Sequence, residues 1–260
     1  MSGTEDRRHF DTFGFVVKRQ LFPAPEIDAI SREFDAAMRE EREGTGTEPA
    51  ERRTILDWVR GRPEAAYLET DPRIRGKIDE LLGPENSLKD NNDGNLYVGD
   101  TVWHPDLGWD PAIPEGMNDP YRLAGNLTNH YRPSIKVAFY LDPVGRDSGC
   151  LRVIPGSHRN PCHDSLWSLH LDIPARARKF GHVTAKLLRM WERDTGSPEG
   201  GGELLRDPDV NVFGIPPAEV PAHAIESEPG DVVFFSHQLW HASFGGGRGR
   251  RMFTLNFLTS

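Results

Sequence analysis

The chain has 260 residues, 37% of them apolar and 9% aromatic, enough to build a sizeable core. Its formal net charge of -9 excludes the basic profile of a general nucleic-acid binder. The N-terminus lacks the apolar stretch of a signal peptide, and no run reaches the roughly 18 apolar residues of a membrane span. Cys150 and Cys162 lack metal-type spacing, so a reducing, cytoplasmic setting is expected.

The first third reads as mostly helical. Phe15-Val16-Val17 predicts a short strand. Pro23-Ala24-Pro25-Glu26 opens an amphipathic helix in which Ile27, Ile30, Phe34 and Met38 share a face. A second helix is expected from about Ala50 to Trp58. A third starts at Asp71-Pro72, a cap followed by a residue suited to the first helical turn, and stops at Leu82-Gly83-Pro84.

From Asn86 the pattern changes to short β-rich runs separated by Gly, Pro, Asn and Asp. Strands are predicted at Leu96 to Val98, Asp100 to Trp103, Ile135 to Leu141, Gly149 to Ile154, Val232 to Phe235 and Arg250 to Leu258. Two stretches break this pattern. Leu107 to Tyr131 reads as a long loop, and loops of that length are usually functional or disordered. Asn160 to Val220 carries helical pieces around Ala175 to Asp194. No linker divides the chain, so residues 1–260 are expected to form one domain. Its core is expected to be an antiparallel double-sheet jelly roll with N-terminal helices and a helical insertion.

Three His-x-Asp triplets occur: His9-Phe10-Asp11, His104-Pro105-Asp106 and His170-Leu171-Asp172. Ten histidines and forty acidic residues make one or two such matches expected by chance, so context must choose among them. Only His104 and Asp106 follow a predicted strand, where residues two apart share a face. His241 follows the apolar run Val232-Val233-Phe234-Phe235 and completes two imidazoles and one carboxylate. That set leaves three metal positions open and suits a non-haem Fe(II) site that activates O2. His237, four residues earlier, is the weaker candidate, read as a neighbour of the ligands or a surface residue. Arg250 and Arg251 follow the glycine-rich run 245–249, read as a hairpin turn, and an arginine there can grip a carboxylate with two prongs.

Lys136 lies inside an apolar strand and calls for a partner. A 2-oxoglutarate carboxylate, a nearby acid, or solvent reached by snorkelling are the three readings. Pro155-Gly156-Ser157-His158 reads as a strand end, a turn and a buried hydrogen-bonded pair, and Trp103 as core. The loop after Asp106 is predicted to act as a lid, with Trp109, Tyr121 and Arg122 facing substrate. Trp167 and Trp191 either line the same mouth or pack locally.

Four blocks resemble the phytanoyl-CoA dioxygenase family of Fe(II)- and 2-oxoglutarate-dependent oxygenases. They are Phe13-Gly14-Phe15-Val16-Val17-Lys18, Thr101-Val102-Trp103-His104-Pro105-Asp106, Ser148 through His158, and Gly230 through Arg251. The resemblance implies a double-stranded β-helix with Fe(II) on His104, Asp106 and His241. It implies 2-oxoglutarate chelated to that iron, with its far carboxylate on Arg250 (or the adjacent Arg251) and Ser243. It also implies oxidation of a small molecule by O2, with 2-oxoglutarate converted to succinate and CO2. Hydroxylation in specialised metabolism is the leading expectation; desaturation, epimerisation or cyclisation are alternatives. The presence of Asp106 argues against a halogenase. A non-catalytic jelly-roll binding protein would be expected to have lost a ligand or the arginine, and a cupin-like enzyme would not need Arg250. No partner beyond a small-molecule substrate is expected, and neither nucleic acid nor membrane.

Overall fold

The structure is a computed structural model that describes residues 3–46, 51–89, 92–106, 134–159, 162, 166, 169, 215–247 and 249–259. The predicted lid, with Trp109, Tyr121 and Arg122, lies outside these residues. So do the helical insertion, His170, Asp172, Trp167 and Trp191.

Helix α1 (Gly3–Phe13) leads into strand β1 (Phe15–Lys18), and α2 (Ala24–Thr45) follows. Pro23 holds the N-cap of α2, and Gly46 ends it in a left-handed conformation. Ile27, Ile30, Phe34 and Met38 are all buried, as their spacing predicts. The expected helix from Ala50 to Trp58 is not formed. Arg53–Ile55 is instead an edge strand, β2. It pairs through Thr54 and Ile55 with β4, and the Thr54 hydroxyl donates to Asn95 Oδ1. Trp58 is then turned beneath Gly94, where any Cβ would lie 2.8 Å from the indole. Strand pairing plus indole burial outweighs a weak local helical preference.

A short helix α3 (Pro63–Ala66) precedes α4 (Pro72–Leu82). The Asp71 carboxylate accepts from the Arg73 backbone N–H, the cap its position implies. The remaining strands are β3 (Asn86–Leu88), β4 (Gly94–Tyr97), β5 (Thr101–His104), β6 (Ser134–Tyr140), β7 (Leu151–Val153), β8 (His223–Ile225), β9 (Val232–Ser236), β10 (His241–Ser243) and β11 (Arg250–Thr259).

These strands form two antiparallel sheets. The larger runs β1-β9-β6-β11-β4-β2, with β3 also on β11; the smaller runs β5-β10-β7-β8. The glycine-rich segment before β11 is therefore not a hairpin turn. It carries the chain from the small sheet to the large one, because β10 and β11 belong to different sheets.

Alternation sorts the large sheet into two faces. Val137, Phe139, Val232, Phe234, Phe253, Leu255 and Phe257 point outward, against Phe22, Ile30, Phe34 and Trp58 of the helical layer. Ala138, Tyr140, Val233, Phe235 and Met252 point inward, with Cys150, Leu151, Val153 and Ile225 of the small sheet. Trp103, Trp240, Ala242 and Phe244 form a third cluster, which confirms Trp103 as core. No described helix is long and apolar enough to cross a membrane.

Candidate metal and cosubstrate site

His104 ends β5 and His241 begins β10, and the two are directly paired across the small sheet. Paired positions bring side chains on one face close together, and the ring centroids are 4.3 Å apart. Each ring is tied to its own strand. His104 Nδ1–H donates to the Val102 carbonyl at 2.7 Å, and His241 Nδ1–H to the Leu239 carbonyl at 2.8 Å. A carbonyl only accepts, so both Nδ1 atoms carry the proton and Nε2 is the ligand atom of each ring.

Asp106, two residues beyond His104, faces those nitrogens. Its Oδ1 is 3.9 Å from His104 Nε2 and its Oδ2 is 3.8 Å from His241 Nε2. One ligand atom from each of the three residues falls within 4.8 Å of the others, the one such acidic, histidine or cysteine group among the described residues. Burial opposes the charge on Asp106, but Lys136 and then the neighbouring imidazoles hold its carboxyl well below the usual range. Burial pushes His241 down, against the pull of Asp106, which keeps the ring neutral and able to ligate. Phe235 packs edge-on against His241 at 5.1 Å and dries that side of the cluster.

Lys136 does not snorkel. It sits on the inward face of β6, opposite Asn256 and Phe235, and its Nζ is 2.9 Å from Asp106 Oδ2. Of the three sequence readings, snorkelling is excluded and the nearby acid is Asp106. His237 is no surface residue: it is buried, and its Nε2 lies 2.9 Å from Asn256 Oδ1. Burial holds it down at about 4, opposed by Asp106.

The two adjacent arginines part company. Arg251 lies on the outward face and is held by Asp142 and Asp35 at 2.6 and 2.9 Å. Arg250 lies inward and is 3% exposed. It donates to Ser243 Oγ and to the Gly99 carbonyl, and its Nε has no partner. A guanidinium buried without a carboxylate is costly unless an anion completes it. Tyr97 stacks on it at 5.2 Å, with Tyr140 nearby. Glycine makes the room: at Gly149 (φ +92) a Cβ would lie 2.7 Å from Arg250 Nη1, and one at Gly246 would collide with the same atom. No local pattern signals Tyr97, Tyr140 or these two glycines; only the strand register joins them to Arg250.

The other candidates are spent elsewhere. His9 Nδ1 bonds to the Phe15 carbonyl at the end of α1. Ser157 and His158 are both buried, but no hydrogen bond joins them: the serine hydroxyl accepts from the Trp240 backbone N–H, and the imidazole packs against Gly14 and Phe10.

Residues 10–252 match the family model for phytanoyl-CoA dioxygenase (PhyH). The chain belongs to the phytanoyl-CoA dioxygenase family. Fe(II) and 2-oxoglutarate are its cofactors, and the His104, Asp106 and His241 cluster is the candidate iron site. This phytanoyl-CoA dioxygenase family member is thus an oxygenase-type enzyme acting on small molecules. No curated protein gives a match to its sequence. Among solved structures it is similar to HygX from Streptomyces hygroscopicus with nickel and 2-oxoglutarate bound. The TM-score is 0.61 at 17% identity, over 98% of this chain and 86% of that one. SnoK, a non-heme alpha ketoglutarate dependent carbocyclase from nogalamycin biosynthesis, gives 0.58 at 18% identity, over 98% and 83%. EvdMO1 gives 0.56 at 16% identity over 98% of this chain, which spans only 50% of that longer protein. At these identities the likeness is one of fold.

Proposed function

We propose that the chain hydroxylates an organic small molecule of specialised metabolism, using Fe(II), 2-oxoglutarate and O2. The two sheets, in this reading, are the halves of a double-stranded β-helix, with the cofactors between them. The observation that carries it is a pair of neighbouring groups of complementary chemistry. Two imidazole nitrogens and a carboxylate converge on one point, and the buried guanidinium of Arg250, on β11, meets β10 at Ser243, two residues along that strand from His241.

His104, Asp106 and His241 would hold the iron. Arg250 and Ser243 would hold the far carboxylate of 2-oxoglutarate, with Tyr97 and Tyr140 flanking it. When bound, the cofactors supply an oxidant generated from O2 as 2-oxoglutarate goes to succinate and CO2. The protein's part is geometric and electrostatic. The carbonyls of Val102 and Leu239 fix the tautomer and aim of each imidazole. Phe235 excludes water beside His241, and Asp106 stays ionised at every working pH. The lid residues Trp109, Tyr121 and Arg122 belong to this proposal as substrate contacts. The family name does not make acyl-CoA the substrate, since one fold hosts many chemistries. Ring closure is the second reading, favoured by the likeness to a carbocyclase.

Anaerobic titration of Fe(II) followed by 2-oxoglutarate tests the assignment. Wild type is expected to develop the weak visible charge-transfer band of the chelate, and His241→Ala to lose it while staying folded. A band that survives in His241→Ala would sink the ligand set.

A further inference from the structure

We propose that Lys136 is a positioning residue that restricts Asp106 to one metal-binding oxygen. The inference rests on the iron reading above. Six positions surround Fe(II): two imidazoles and one carboxylate oxygen take three, a chelating 2-oxoglutarate takes two, and O2 needs the last. A carboxylate that turned both oxygens to the metal would occupy a position that 2-oxoglutarate or O2 requires.

Nothing in its own strand prevents this. Asp106 lies past the end of β5, beyond the last residue paired with β10. The restraint comes from the opposite sheet. Lys136 is set in the middle of β6, between β9 and β11, by its register with Phe235 and Asn256. Both carboxylate oxygens face an imidazole, Oδ1 at 3.9 Å from His104 Nε2 and Oδ2 at 3.8 Å from His241 Nε2, but only Oδ2 is also held by the ammonium, at 2.9 Å. An ion pair this short, between two groups shielded from solvent, is held by charge far more strongly than one in water. It holds Oδ2 and not Oδ1, so that Oδ1 is the oxygen left to the metal. The same lysine places a positive charge beside the metal position, so it also opposes tight cation binding.

The test compares wild type with Lys136→Met and Lys136→Arg, anaerobically. With Fe(II) alone, Lys136→Met is expected to bind at least as tightly as wild type, because a competing cation has gone. With 2-oxoglutarate added, its chelate band is expected to require about tenfold more cosubstrate. Lys136→Arg, which keeps the charge and the donors, is expected to recover most of that loss. With Co(II) alone, the ligand-field spectrum of Lys136→Met is expected to differ from wild type, since Asp106 then contributes two oxygens.

Unchanged 2-oxoglutarate affinity in Lys136→Met would overturn the proposal. So would an unchanged Co(II) spectrum, which would assign the lysine to 2-oxoglutarate itself. Loss of metal binding in a Lys136→Met protein that is folded by circular dichroism would overturn it too. Should Lys136→Met not fold, Lys136→Gln is read by the same criteria, with an expected loss of about threefold. If wild type itself gives no chelate band, the iron reading fails; if wild type gives it and the variants match wild type, only the lysine's role fails.

Discussion

The two faces of the large sheet use the same strands for different ends. On β11, the outward residues Phe253, Leu255 and Phe257 are fully buried against the helical layer. The inward residues Arg250, Met252, Thr254 and Asn256 alternate with them and carry most of the strand's polar groups. β6 repeats the division, with Val137 and Phe139 outward and Lys136 and Tyr140 inward. Apart from Arg251 at its edge, the outer face of these strands can be apolar because it owes nothing to chemistry. Its packing offsets the cost of holding two cations, Lys136 and Arg250, inside the protein. Burial on one side of a strand thus secures reactivity on the other.

Breaking the outer face should cost the most free energy and leave the chemistry intact. Phe253 stacks on Phe139 with centroids 4.5 Å apart and touches Trp58 at 5.1 Å. Phe253→Ala is expected to lose about 3–5 kcal/mol of stability by urea titration. The 2-oxoglutarate affinity of the molecules that remain folded should be unchanged. A large affinity loss in that folded fraction would mean the two faces are not separable.

The inner face should respond in the opposite sense. Arg250→Ala is expected to weaken 2-oxoglutarate by about a hundredfold, or about 2.7 kcal/mol, with little loss of stability, because the buried guanidinium has no carboxylate of its own. Arg251→Ala, one residue away and on the other face, should leave that affinity within about twofold. Its cost should appear instead as stability, through Asp142 and Asp35. If the two variants exchange phenotypes, the face assignment of β11 is wrong.

The smallest effect asks whether proton uptake ignores the division altogether. His158, outside the metal cluster, and His237, beside it, are each held near 4, chiefly by burial. Arg159 adds to the depression of His158 and Asp11 opposes it. Unfolded histidine titrates near 6.5, so the unfolded chain takes up these protons first as pH falls. Stability is therefore lost between about pH 6.5 and pH 4, on the order of 2 kcal/mol for each ring by pH 5. His158→Gln should lose that much less than wild type between pH 8 and pH 5, measured by urea midpoints at both values. An equal loss would mean that His158 is not held neutral in the folded protein.

Much of this organisation is legible in the residues. The caps and spacing of α2 and α4, the apolar runs of β6 and β9, and the choice of His104 and Asp106 over two sibling triplets all come from local pattern. What escapes is whatever depends on pairing between distant segments. Arg53–Ile55 looks helical until β4 is set beside it. The glycines at 245–247 say that the chain bends, but not that it changes sheets. Tyr97 and Tyr140 meet Arg250 only because β4, β6 and β11 are neighbours. For Lys136, the sequence posed the question of a partner, and the facing sheet answered it.

The crossing from β10 to β11 also sets a ruler. Arg250 reaches back across the gap to Ser243, two residues beyond His241 on one strand. Two residues of extended chain span about 7 Å. The interval between the metal position and the carboxylate grip is thus written in main-chain pitch, not in the length of any side chain. In the proposed reading, discrimination between longer and shorter diacids would be built into the backbone. Substitutions elsewhere would then retune which molecule is oxidised without resetting that measure.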